Sequence, residues 1–149
     1  MTEAGQTLPC VLREALAEDL PALLPLLAQL APIDPEKALS TFQAMQGYPF
    51  YKTFLAVVEG RVVGTFGLLI VDNLGHAGAP FGVVENVVVE TTLRGGGIGK
   101  RMMEHAHMLA RERGCYKLIL ASGVQREAAH AFYESLGFEK RGYAFSLDL

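Results

Sequence analysis

The sequence predicts a mixed α/β (α+β) domain, with a central sheet of about seven strands and helices on both faces. Three observations carry this. The chain has 149 residues, half of them hydrophobic and 19% charged, which is enough for one buried core. Short β-rich runs and helical patterns follow the order β-α-α-β-β-β-α-β-α-β-β. The β-α-β unit over residues 81–121 requires a parallel pair with a right-handed crossover. The earlier and later strands suit antiparallel pairing.

Residues 1–9 are polar and are expected to be flexible, ahead of a single domain over 10–149. A first strand fits 10–15. Glu18 and Asp19 mark a helix start, with Pro21 tolerated in the first turn, and the helix runs to 30 before Ala31-Pro32 breaks it. Asp34 caps a second helix, with Pro35 at its first position, ending near 45. Residues 53–58 and 62–71 make a hairpin around Glu59-Gly60. After the loop "DNLGHAGAP" a strand returns over 81–89. A helix over 98–113 puts Ile98, Met102, Ala106 and Leu109 on one face, and Gly114 ends it. Residues 116–121 read as a short buried strand. A last helix spans 126–136, ended by Gly137, and strands over 138–141 and 143–147 close the chain.

Composition narrows the function. Thirteen basic and 16 acidic residues give a net charge of −3, which argues against nucleic acid as a partner. Cys10 and Cys115 are the only cysteines, with no disulfide framework and no zinc spacing, so a reducing cytoplasm is expected. The apolar run 20–33 is shorter than the roughly 20 residues a bilayer requires. It follows acidic residues rather than basic ones, so neither a signal peptide nor a membrane anchor is expected.

The stretch "VENVVVETTLRGGGIGKRMMEH", residues 84–105, places glycines where a strand hands over to a helix. A helix starting near Gly97 leaves its first N–H groups without partners, and these together with the positive end of the macrodipole suit an anion. Glycines at 95, 96, 97 and 99 remove side chains that would block a ligand's approach. Residues 94–100 therefore read as a phosphate cradle, with a purely geometric tight turn as the plainer alternative. A Walker loop fails twice, because Arg101 follows Gly99-Lys100 and Arg94 stands where the first glycine belongs. The dinucleotide fingerprint fails at Lys100.

The run Arg94-Gly95-Gly96-Gly97-Ile98-Gly99 fits the pattern Arg/Gln-x-x-Gly-x-Gly/Ala. It resembles the acyl-CoA pyrophosphate loop of the GCN5-related N-acetyltransferases, the GNAT superfamily. The resemblance extends through "REAAHAFYESLGFEKRGY", residues 126–143, and through the element order. It departs at Thr91, where relatives often have Pro, and at Ser122, in a region where many have Asn. It implies a GNAT-like sheet splayed between its fourth and fifth strands, with the pantetheine arm of acetyl-CoA in the gap. That arm would meet the backbone of Val87 and Val89, and an N–H near Val88 would polarise the thioester carbonyl. The pyrophosphate would rest on the amides of residues 95–100, including Ile98, with Arg94 and Lys100 adding positive field. Lys100 and Arg101 read equally well as ordinary solvated helix charge. Ala129, Phe132 and Tyr133 would lie along the cofactor.

The implied reaction is acetyl transfer to an amine, which must first lose a proton. The leaving thiolate must then gain one. Glu85, a carboxylate set in an apolar strand, is the candidate base, acting through water; its alternatives are substrate orientation or a structural ion pair. Glu90, at the strand end, is less suited. The resemblance makes Tyr133 the candidate acid, with a packing tyrosine that only hydrogen-bonds CoA as its alternative. Ala128, Phe132 and Leu136 read as the core face of that helix, with Ala129 and Tyr133 a quarter-turn away. The pairs Glu104-x-x-His107 and Glu127-x-x-His130 have di-iron spacing but lack the two further inward carboxylates, so no metal is expected. His105 reads as a packed histidine, and His76 as exposed or touching substrate. Phe50 and Tyr51 read as packing, or as part of an acceptor site. The acceptor is expected to be a small primary amine. A protein amine, or an acyl-CoA sensor that transfers nothing, is the alternative, and a homodimer is a fair expectation from the family.

Overall fold

Two β-rich runs flanking Glu59-Gly60 build the centre of the sheet. Both turn residues are left-handed (φ 49° and 76°), the backbone that a two-residue hairpin with natural strand twist demands. This computed structural model describes residues 9–149; the expected flexible segment 1–9 lies almost wholly outside them. The hairpin joins β2 (Tyr51–Val58) to β3 (Arg61–Val71). β1 (Val11–Glu14) pairs with β2, and β4 (Phe81–Val89) pairs with β3, both antiparallel. β5 (Leu118–Ile119) pairs with β4 in parallel, giving the order β1-β2-β3-β4-β5.

Residues facing one another across the ladders share a face of the sheet. On one face Ala15, Leu23, Phe42 and Leu55 form a buried cluster, with Leu20, Leu27, Val57 and Val62 against it. Here α1 (Leu20–Leu27) and α2 (Pro35–Gln46) lie over the sheet. α2 starts as its sequence dictates: Pro35 is its first residue, and the Asp34 carboxylate accepts from the Glu36 amide at 3.0 Å. α1 stops short of the expected residue 30. The amides of Gln29 and Leu30 bond to carbonyls three residues back, tightening the last turn ahead of Ala31-Pro32.

α3 (Ile98–Glu112) covers the opposite face. Its buried stripe is Ile98, Met102, Ala106 and Ala110, with Met103 beside it; Ala110 completes the four-residue repeat where Leu109 was expected. Phe54 and Phe66 stack at 5.2 Å, and His105 meets Phe54 edge-on at 5.3 Å, as a packed histidine should. Gly64 brings α3 this close, since a Cβ there would stand 2.8 Å from Met102 Sδ; one on Gly82 would crowd Leu118 of β5 at 2.9 Å.

Leu120–Leu149 form a separate compact unit. Its helix α4 (Glu127–Ser135) ends in a Schellman arrangement at Gly137 (φ 96°), with Phe138 N–H bonded to Tyr133 C=O and Gly137 N–H to Glu134 C=O. Tyr133 is the buried residue of α4, whereas Ala128, expected in the core face, is exposed. The buried side of α4 is therefore turned toward Ala129 and Tyr133.

The sheet has five strands where about seven were expected. Residues 138–141 and 143–147 form no strand, and Tyr143, Phe145 and Leu147 are exposed. Their alternation fits a strand, but among the described residues no strand pairs with them, and an unpaired strand has no ladder to hold it. The expected strand 116–121 shortens to Leu118–Ile119, because its ladder with β4 has only two pairs.

Gly64→Val should lower stability by about 1–3 kcal/mol through overpacking against fully buried Met102, read as a fall in Tm. The Asp19 carboxylate accepts two bonds from Arg13 (2.7 and 2.8 Å) and one from the Leu16 amide. The Arg13 guanidinium holds it well below its ordinary value of 3.8, at about 2. Its contribution is thus full above pH 3.8 and is lost as pH falls through about 2. The stability gap between wild type and Asp19→Asn, about 1 kcal/mol for a pair whose arginine is part-exposed, should close over that window in acid titrations of urea melts.

Candidate active site

The decisive feature of β4 is one residue too many. Gly67 stands opposite Glu85 and Thr65 opposite Val88, so Phe66 of β3 faces both Asn86 and Val87. Asn86 takes up the excess in a left-handed conformation (φ 53°), a β-bulge. The bulge inverts the strand's alternation. Val84 is buried on the α3 face, and Val88 is buried on the opposite one. The parallel ladder with β5 is confined to Gly82–Leu118 and Val83–Ile119, both before the bulge. Val87, Val88 and Val89 have no partner in β5, and the Val89 carbonyl accepts from Arg94 Nε at 3.2 Å. This is the strand edge that an extended, amide-bearing ligand can use.

β4 hands over to α3 through a short turn, Thr91–Leu93, and the glycine loop. Gly95 (φ 87°) and Gly97 (φ 82°) are left-handed, and Gly97 is the N-cap. The first helical bond runs from Arg101 N–H to Gly97 C=O, so the amides of Ile98, Gly99 and Lys100 have no intrahelical acceptor. The Gly96 amide bonds instead to Leu93 C=O at 3.3 Å, so the free donors are grouped at the helix start. Ile98 is fully buried and anchors this turn. The first turn of α3 holds no acidic residue, while Arg94, Lys100 and Arg101 crowd it. Cations at the positive end of a helix are unfavourable by themselves, and an anion seated there reverses the sign. Lys100 has a loose partner in Glu104 (3.9 Å), both exposed.

Glu85, though set in an apolar strand, is exposed. A Cβ on Gly67 would lie 3.6 Å from the Tyr51 ring, 3.6 Å from the Glu85 carbonyl and 3.9 Å from the Glu85 Cβ. Gly67 thus leaves a notch with Tyr51 on one side and Glu85 on the other. Burial, then the charge of Glu85, pushes the Tyr51 phenol above its ordinary value, so it stays protonated. Tyr48 meets it edge-on at 5.9 Å. Phe50 takes the packing role instead, under the Arg113 guanidinium (4.5 Å) and the Lys52 ammonium (5.1 Å). The sequence did not single out Gly67 or Asn86. Their signal was there, since Gly and Asn are both depleted in strand interiors.

Glu90 is held by Arg61 at 3.0 Å, a structural pair. In the second unit Tyr133 is buried against Phe132 (5.3 Å) and Phe138 (5.8 Å). Burial raises its phenol above the ordinary value, against a smaller opposing effect of Arg126. Ala129 lies one turn earlier and is half-buried. His130 is engaged with the Gly123 carbonyl at 2.8 Å. The Ser122 hydroxyl is buried with no partner among the described residues, a polar group with unused bonding capacity.

Over residues 13–138 the sequence matches the acetyltransferase (GNAT) family. The chain belongs to that family. GNAT proteins use acetyl-CoA as co-substrate, and the bare amides at the start of α3 and the open edge of β4 fit such a ligand. A 98-residue stretch is 38% identical to the glucosamine 6-phosphate N-acetyltransferase of Trypanosoma brucei brucei, covering 66% of this chain and 65% of that protein. The chain thus spans a little less than two thirds of that relative. An aminoalkylphosphonate N-acetyltransferase of Salmonella typhimurium is 30% identical, over 92% of this chain and 90% of its own length. A solved structure of a putative acetyltransferase from Agrobacterium tumefaciens superposes with a TM-score of 0.87 at 40% identity, over 93% of this chain and 99% of that one.

Gly97→Glu puts bulk and negative charge at the N-cap. Acetyl-CoA affinity should fall by at least about tenfold in calorimetry, and an unchanged Kd would show that the diphosphate is held elsewhere.

Proposed function

We propose that this protein transfers an acetyl group from acetyl-CoA to the primary amine of a small molecule, directly and in a ternary complex. The observation that carries the reading is the pairing of two features on one strand: the open β4 edge beyond the bulge and the Glu85–Gly67–Tyr51 notch before it. The first suits the cofactor's arm, and the second suits an amine approaching the same strand. The amides of Ile98, Gly99 and Lys100 hold the diphosphate. Glu85, open to water, takes the ammonium's proton through a bridging water. The nitrogen attacks the thioester carbonyl, the N–C bond forms and the C–S bond breaks, and the nitrogen's remaining extra proton passes through water to restore the phenol that protonates the thiolate. Tyr133, kept protonated by burial, supplies the proton that the thiolate needs.

The relatives favour a small acceptor over a protein. The two named above act on glucosamine 6-phosphate and on aminoalkylphosphonates by name, both compact amines. The reading includes a cytoplasmic homodimer. Cys10, buried, and Cys115, half-buried, are free thiols, which suits a reducing compartment. No helix among the described residues is long and apolar enough to cross a membrane.

Release of free thiol across an amine panel tests the activity. Tight acetyl-CoA binding with no thiol from any amine would identify a sensor instead. Tyr133→Phe should lower kcat by about 10- to 100-fold with little change in acetyl-CoA affinity. It should also remove the descending limb of the rate profile, which burial of Tyr133 moves above the ordinary phenol value of 10. Glu85→Gln should lower kcat by about 10- to 100-fold with acetyl-CoA affinity unchanged. Full turnover in either variant overturns the role given to that residue.

A further inference from the structure

The face of the sheet that carries Glu85 stays open past the notch. Phe81, Val83 and Glu85 alternate along β4 on this face, opposite Val71, Leu69 and Gly67 of β3. Phe81, Val83, Leu69 and Val71 are only half-buried, because α1 and α2 cover the far end of the face, around Leu55 and Val57. One end of this apolar shelf carries the Glu85 carboxylate. At the other end stands Lys117. Its backbone is fixed by the Gly82 amide, which donates to the Lys117 carbonyl at 3.0 Å. Its ammonium rests 5.6 Å above the Phe81 ring and 5.2 Å above the Tyr116 ring. Among the described residues it pairs with no carboxylate.

The corner around Lys117 is built. His76 stacks on Tyr116 with ring centres 3.8 Å apart and planes 14° from parallel. The loop that delivers His76 is left-handed at three successive residues, His76 (φ 52°), Ala77 (φ 57°) and Gly78 (φ 79°). Left-handed non-glycine residues cost about 1 kcal/mol or more each, and such strain gathers where a site over-determines it. A cation over an exposed aromatic gains about 0.5–1 kcal/mol, enough to park the ammonium. A charge-assisted bond to an anion gains more, so the lysine is free to turn to a ligand.

We propose that Lys117, with the Tyr116–His76 stack beside it, binds an anionic group of the acceptor, while Glu85 receives the amine. The inference rests on the acetyltransferase reading and names its substrate class: an amine with a phosphonate, phosphate or carboxylate several bonds away, across an apolar middle. Glu85 and Phe81 are four residues apart, about 13 Å along the strand. Both charged side chains can lean inward from that span, so an acceptor longer than a simple alkylamine fits.

The test uses the full chain and three amines of equal length ending in phosphonate, carboxylate or hydroxyl. Wild type should prefer an anionic amine over the alcohol by about tenfold or more in kcat/KM, the worth of one charge-assisted bond. The two anionic arms identify the preferred group. Lys117→Met should bring the ratio near one, and Lys117→Arg should keep it. A ratio is insensitive to any loss of folded enzyme common to all three substrates. No preference in wild type, or a preference that survives Lys117→Met, overturns the subsite. Calorimetric titration of both anionic amines, with CoA present, separates the two claims. Lys117-dependent binding without thiol release from any amine would keep the subsite and sink the transfer reading. Binding indifferent to Lys117, or no binding, sinks the subsite.

Discussion

The site depends on one left-handed residue, Asn86, inside an otherwise regular strand. An uninterrupted β4 would alternate strictly, and Val84 and Val88 would then point to the same side. Each is buried, on opposite faces, only because the extra residue inverts the alternation between them. The same insertion sharpens the local twist, as bulges do. The ladder to β5 ends two pairs after it begins, and the backbone beyond Asn86 is left without a partner in that strand. A bulge leaves bonding groups unpaired, which burial makes expensive. Here that expense is offset where a ligand can supply the missing partners.

The helix start that would grip the other end of such a ligand is tied to the same strand by short-range bonds. Glu90 N–H reaches Val63 C=O, Leu93 N–H reaches Glu90 C=O, and Arg94 Nε reaches Val89 C=O. α3 packs closely on the sheet over the bare position Gly64, and fully buried Ile98 ties down its first turn. The chain as a whole is acidic, at −3, yet three of its cations stand within one turn of the N-terminus of α3. Each disfavoured charge there costs a few tenths of a kcal/mol to about 1 kcal/mol by the dipole. Stability alone would select carboxylates at those positions. The sign of the charge identifies the ligand more clearly than the glycines do, because glycines also serve turns.

What was legible in the sequence was local. The Glu59-Gly60 turn, the Asp34-Pro35 helix start, the stripe on α3 and the glycine loop each rest on residues within one or two turns of each other, and each formed where expected. What was not legible depends on partners far along the chain. The alternation of Tyr143, Phe145 and Leu147 states what a strand would look like but not what it would pair with. Phe50 and Tyr51 look alike in sequence and part company in space, because adjacent strand residues point to opposite faces. Phe50 goes under Arg113, and Tyr51 goes beside Glu85. On α4 the helical period placed Tyr133 a quarter-turn from the core face, whereas burial centres on it. Glu85 was legible as an anomaly, a carboxylate in an apolar run. Its exposure was not, since that depends on Gly67 across the ladder.

The two ends of β4 answer to different physics, and on the proposed reading this divides donor from acceptor recognition. Past the bulge, on that reading, recognition rests on backbone amides, which are the same whatever side chains the strand carries, and on bare glycine positions that admit no side chain. Before the bulge it rests on side chains standing on an open sheet face: Tyr51, Leu69, Phe81, Val83 and Lys117. None of these residues holds the core together, since the buried cluster lies around Leu55 and Leu23 and the α3 stripe lies on the other face. Substitution on the shelf therefore alters contacts with the acceptor at little expense to folding. A strand whose first half is free to vary and whose second half is fixed by main-chain geometry can keep one donor while changing amines.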